Sequence, residues 1–130
     1  MRWLRSVAAV VGGLLAGMVV VIGLTAAATF LLFEGDMSAP PTPGYLAANV
    51  LYSAGAAGLA GWIAARWAPS HGLVHSGAVA LIMLLMSSGG TSAAEGVPSW
   101  YGPAVAVLAP VGALVGGWLR VRSVGRSANE

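Results

Sequence analysis

The chain has 130 residues, 58% of them hydrophobic and 8% charged, with a net charge of +2 and a mean hydropathy of +0.83. A soluble domain carries about 25% charged residues, so a surface this poor in charge must face lipid rather than water. There is no cysteine, which excludes disulfides, thiol catalysis, iron–sulfur clusters and Cys-ligated zinc.

Residues 1–6, MRWLRS, place Arg2 and Arg5 before the first apolar run, with Trp3 at the level of lipid headgroups. Residues 7–33 contain no charge. As a helix they would rise roughly 40 Å, against a hydrocarbon core of about 30 Å. Ala26-Ala27-Ala28 offers a small-residue cleavage site, but a signal peptide's apolar region is only about 7–15 residues. An uncleaved first helix is therefore expected.

Residues 34–44, EGDMSAPPTPG, form a loop with Glu34, Asp36 and three prolines that stop the helix. Thr42 and Pro43 are the cap and first-turn pair of a second helix, expected over 45–67. Its polar residues Asn49 and Ser53 lie one turn apart near the outer end and would form a small polar cluster. A tight connection, APSHGL, leads into a third helix over 70–88, with Ser70 as its cap. This helix reaches a spanning length only when its flanking polar residues are included. A Gly- and Ser-rich loop with Glu95 precedes a fourth helix over 100–119. Within it, Pro110 removes a hydrogen bond from the Ala106 carbonyl and should bend the helix. Residues 120–130 read as a short, frayed tail.

Four spans put both termini on one side. Arg2, Arg5, Arg66, Arg120, Arg122 and Arg126 then share that side, and Glu34, Asp36 and Glu95 share the other. The positive-inside rule makes the termini cytoplasmic. Trp3, Trp62, Arg66, Trp100, Trp118 and Arg120 are the expected interface anchors. Because the arginines flank apolar segments rather than forming a patch, the pI of 9.7 is no case for nucleic acid.

Sliding the chain by 56 residues brings Tyr45 onto Tyr101, Ala57 onto Ala113, Gly61 onto Gly117, Trp62 onto Trp118 and Arg66 onto Arg122. Since that shift holds two spans, the halves would be parallel hairpins related by an axis along the membrane normal. The competing explanation is that two Ala/Gly-rich helices with aromatic ends look alike.

Small residues recur every four positions: Ala9, Gly13 and Gly17; Ala57, Gly61 and Ala65; Ala109, Ala113 and Gly117. Such stripes let helices approach closely where lipid removes the hydrophobic driving force. Packing within one bundle is the expected use; an interface between copies is the other. His71 and His75 would share a helix face only if the third helix begins by Ser70, and no third ligand accompanies them. We expect no metal, no cofactor and no catalytic set. Glu34, Asp36 and Glu95 could meet at a cation, but solvated loop charges are the simpler reading. No ionisable residue lies centrally in a span, which argues against proton-coupled transport.

The stretches LRSVAAVVGGLLAG, GWIAARWAP, SHGLVHSGA and WYGPAVAVLAPVGALVGGWLRVR together resemble a widespread set of small bacterial four-span membrane proteins without an assigned activity. The resemblance implies a fold and a location, and no chemistry. The outer loops depart from it. The sequence thus points to an all-α membrane protein: one four-helix transmembrane bundle, built as two parallel hairpins if the duplication is real. The expected role is a non-enzymatic accessory or structural subunit whose partners are the lipid bilayer and other membrane subunits or itself. The alternative is an oligomeric channel or small-solute transporter.

Overall fold

The computed structural model describes residues 1–90 and 96–127, without the side chains of residues 88–90. The chain forms α1 (Arg2–Phe33), α2 (Pro43–Trp67), α3 (Gly72–Gly90) and α4 (Tyr101–Ser127), and no strand among the described residues. α1, α2 and α4 are long and apolar enough to cross a membrane, and α3 is apolar but shorter. This all-helical four-helix bundle is compatible with a membrane protein. Glu95 falls outside the described residues, so its meeting with Glu34 and Asp36 has no structural counterpart here.

Local chemistry sets the helix ends. Thr42 Oγ1 accepts from the Tyr45 amide at 3.2 Å, and Pro43 opens the helix. α1 stops where Glu34 and then Gly35 turn left-handed, at φ 52° and 84°. In the loop that follows, Asp36 Oδ1 accepts from the Ser38 hydroxyl at 2.6 Å and from its amide at 2.9 Å. The hydroxyl first, and then the amide, hold the Asp36 carboxyl below the usual carboxylate range. This bracing is complete above that range and is lost as pH falls through the depressed value.

Two boundaries differ from the sequence expectation. α3 does not start at Ser70 and Ser70 does not cap it. His71 takes a left-handed φ of 50°, which turns the chain sharply so that Gly72 lies against α2. A side chain at Gly72 would stand 3.0 Å from the Ala65 carbonyl oxygen. The His71 carbonyl accepts the Val74 amide at 2.9 Å and so opens the helix. At the other end of the chain, residues 120–127 are helical rather than a frayed tail. Their serines bond back along the helix, Ser123 Oγ to the Arg120 carbonyl at 2.8 Å and Ser127 Oγ to the Ser123 carbonyl at 3.3 Å.

The helices pack around α2, which touches the other three; α1 and α4 do not meet. α2 can occupy the middle because it is small on two sides. Ala56, Ala60 and Ala64 face α1, where Gly13 and Gly17 close onto them. A Cβ on Gly13 would sit 2.5 Å from the Ala60 oxygen, and one on Gly17 2.9 Å from the Ala60 methyl. On the other side Ala54, Gly58 and Gly61 face Gly112, Ala113 and Gly116 of α4, and here backbone lies on backbone. Any Cβ at Gly61 would overlap the Ala113 carbonyl, and any at Gly116 the Gly58 carbonyl. Gly117 serves α3 instead, where Ser76 occupies the space its side chain would need.

The resulting core consists of Ala57, Ala60, Ala64, Val79, Ala80 and Ala113. The largest fully buried side chains are Val79 and Ser76. Cohesion therefore comes from close backbone approach, with many weak dispersion and Cα–H···O contacts, rather than from large side chains.

Gly61→Val or Gly116→Val should destabilise the bundle by at least the about 1–3 kcal/mol typical of overpacking, because the obstacle is backbone. Gly23→Ala, whose Cβ meets nothing within 4 Å, should leave it unchanged. Thermal unfolding in detergent, followed by circular dichroism, measures both. Equal midpoints for all three would mean that α2 and α4 do not touch here.

Candidate functional site

Two clusters of polar side chains stand out, one towards each end of the α2–α4 pair. The first is a chain of hydrogen bonds through three helices. Asn49, nearly two turns into α2, donates through its amide to Tyr52 Oη on the next turn and accepts through Oδ1 from Tyr101 Oη of α4 at 2.6 Å. Tyr52 Oη in turn meets Thr25 Oγ1 of α1 at 2.8 Å. Each member is at least partly buried. The network ties α1 to α4, which never touch directly. Nearby, the Phe33 and Tyr45 rings meet edge to face at 5.2 Å and brace the α1–α2 connection.

Ser53, expected beside Asn49, takes no part in this network. One residue on from Tyr52, it lies about 100° around the helix from it, off the face that reaches Thr25. The true partners are tyrosines and a threonine. Their amphipathic rings can stand at an interface or reach inward, and nothing in the sequence spacing says which. The arrangement is a chain of hydrogen bonds among one amide, two phenols and a hydroxyl.

The second cluster is the arginine–tryptophan rim at the opposite end. The Arg66 and Arg120 guanidinium carbons lie 5.4 and 5.8 Å from the Trp62 ring centre, and that of Arg122 lies 4.9 Å from the Trp118 ring. Arg120 joins α4 to a tryptophan of α2, and its Nε is buried without a hydrogen-bond partner. Trp67 lies over Gly12 of α1, where its ring fills the space a side chain would take. Trp3 and Trp100 are exposed, at opposite ends of the bundle.

His71 and His75 do not share a helix face, since His71 precedes α3. His75 Nδ1 lies 3.2 Å from the His71 carbonyl oxygen instead. Among the described residues no three His, Cys, Asp or Glu side chains gather where a metal could bind. Of the small residues, Ala9, Gly13, Gly17, Ala57, Gly61, Ala113 and Gly117 are buried inside the bundle. Ala65 and Ala109 are half-buried. Gly58, Gly112 and Gly116, which complete the α2–α4 seam beside Gly61 and Ala113, went unmarked in the sequence. The Gly112–Gly116 spacing of four was the signal that could have found them.

Comparison with protein-family models, with curated proteins and with solved structures finds no match to this chain.

Asn49→Leu should cost about 1–2 kcal/mol, the range of interhelical hydrogen bonds in an apolar surround, and Tyr101→Phe about half as much. Asn49→Leu removes both bonds made by the amide, whereas Tyr101→Phe removes one. Ser53→Ala should cost nothing measurable. Unfolding by denaturing detergent compares the three; a Ser53→Ala loss as large as that of Asn49→Leu would contradict the network described.

Proposed function

We propose that this chain is a multi-pass protein of a bacterial inner membrane, crossing it four times with both termini in the cytoplasm. Its role is that of a non-enzymatic accessory or structural subunit of a larger membrane assembly. The observation that carries this reading is how the bundle uses its polar groups. The Asn49 amide, the Tyr52 and Tyr101 phenols and the Thr25 hydroxyl are consumed by one another. The buried Ser76 hydroxyl donates to the Leu73 carbonyl of its own helix, and the other buried residues described are alanine, glycine, valine and Leu46. Such a module has little to offer a solute, and its chemistry lies in the surfaces it presents. α1 presents the most: of its 32 residues only Ala9, Gly13 and Gly17 are buried.

The crossing number and orientation rest on charge. All six arginines lie at the end of the bundle where α1 begins and α2 and α4 finish, while Glu34 and Asp36 lie at the other end. α3 is short for a span, and its 19 residues would rise about 28 Å as a helix. The resemblance to small four-span bacterial membrane proteins points the same way. Duplication of a hairpin is supported by the recurrence of Trp–Arg stacking in Trp62–Arg66 and Trp118–Arg122. Against it, α2 packs on α3 while the equivalent pair, α4 and α1, does not meet.

The alternative, an oligomeric channel or transporter, would need Asn49 to line a polar path. After mild detergent extraction from its native membrane, the tagged chain should co-purify at fixed stoichiometry with a larger membrane partner. Recovery alone, combined with solute flux in liposomes that Asn49→Ala alters, would overturn the subunit reading in favour of the channel. Single cysteines placed at residues 95 and 126 should label from opposite sides of the membrane. Labelling from one side would overturn the four-crossing topology.

A further inference from the structure

The outer side of the α2–α4 seam is an open, apolar groove of about 670 Å³. Because the two helices touch through backbone, the seam is a furrow: its floor is Gly58, Gly112 and Gly116, and the exposed Gly55 lines it together with leucine and valine side chains. It starts at the level of Ala54, near the midpoint of α2, and Leu108, about two turns into α4, and ends at Trp62 and Leu119. By helical rise it is roughly 12–17 Å long. Half of a hydrocarbon core about 30 Å thick is about 15 Å, so the groove is one leaflet deep.

Its open end is basic. Arg66 and Arg120 both lie over Trp62, the tryptophan that closes the groove. Leu119 is shared with a second hollow of about 310 Å³ lined by Arg122, Ser123 and Arg126. The carboxylates among the described residues, Glu34 and Asp36, are at the far end of the bundle. These four guanidinium groups therefore have no carboxylate counter-ion among the described residues, and the buried Arg120 Nε has no acceptor.

We propose that this groove and its rim form a binding site for an anionic phospholipid. One acyl chain lies on the glycine floor and the headgroup phosphate accepts hydrogen bonds from Arg66 and Arg120, with Arg122 and Arg126 adding positive potential. Guanidinium groups suit phosphate because they are planar, always charged and donate in pairs. Basic pockets between helices at the cytoplasmic face are the expected place for such headgroups. An apolar slot one leaflet deep, with cations at its interfacial mouth that no carboxylate among the described residues neutralises, has the polarity of a phospholipid and its charge complement. The proposal rests on the membrane residence argued above and not on the subunit role, which co-purification decides separately.

The full chain, purified in mild detergent and delipidated, is mixed with dioleoyl phosphatidylglycerol or with dioleoyl phosphatidylcholine and examined by native mass spectrometry. The expected result is one phosphatidylglycerol per chain, retained at least ten-fold more tightly than phosphatidylcholine. The R66Q/R120Q double variant should abolish that preference. Gly55→Leu should lower phosphatidylglycerol retention about ten-fold, because its side chain fills the groove. A Cβ there meets nothing within 4 Å, so the thermal midpoint should not move, which separates a blocked groove from a misfolded chain. Equal retention of the two lipids by the wild-type chain would overturn the proposal, as would a Gly55→Leu chain that binds like wild type. A wild-type dimer converted to monomer by Gly55→Leu would overturn it too, and would give the groove to a second copy of the chain.

Discussion

Direct contact between the backbones of α2 and α4 is the constraint on which the rest of this structure depends. Gly58, Gly61, Gly112 and Gly116 bring one helix's carbonyls against the other's Cα atoms. Once that seam closes, the remaining arrangement follows. α2 still has its Ala56–Ala60–Ala64 stripe free, and α1 closes on it with Gly13 and Gly17. α3 is held against α4 by the fit of Ser76 to Gly117. In an apolar surround there is no water to expel between helices, so close fit has to supply cohesion. Small residues also cost little side-chain entropy when ordered.

Each end of the bundle then finishes the work differently. At one end, Thr25, Tyr52, Asn49 and Tyr101 join α1, α2 and α4 with directional bonds, which fix register where glycine contacts alone would permit sliding. At the other, arginines and tryptophans stack across the ends of α2 and α4. The same closeness that makes the seam strong leaves a furrow outside it, so the apolar groove is a geometric consequence of the glycines. Its position beside guanidinium groups that have no carboxylate partner among the described residues turns a packing feature into a candidate ligand site.

The helices were legible in the sequence because their signal is composition over long windows. Uncharged runs, proline-rich breaks and the Thr42–Pro43 start need no tertiary information. Boundaries that depend on tertiary geometry were not legible. Nothing near Ser70 announces that His71 will turn left-handed to lay Gly72 on Ala65. Arg120–Ser127 reads as a polar tail until its serines are seen bonding to their own helix. The site was half legible. Asn49 stands out as the most polar residue within the expected second span, but its partners come from other helices, and helical spacing pointed to Ser53 instead. Stripes of four residues mark a face without saying which neighbour it meets. Hence Gly117 belongs to the α3 contact, while Gly112 and Gly116, one residue round the helix, carry the α2 seam.

The most direct test of the seam uses the native chain, since any side chain added there perturbs what it reports. With Gly Cα and Ala carbonyl carbons labelled and the protein reconstituted in lipid bilayers, solid-state NMR reads through-space contacts between helices. Cross-peaks linking Gly58 Cα with Gly116 Cα, and Gly61 Cα with the Ala113 carbonyl, are the result this account predicts. A spectrum that shows the contacts of Gly13 and Gly17 with α2 but lacks both α2–α4 pairs would contradict it.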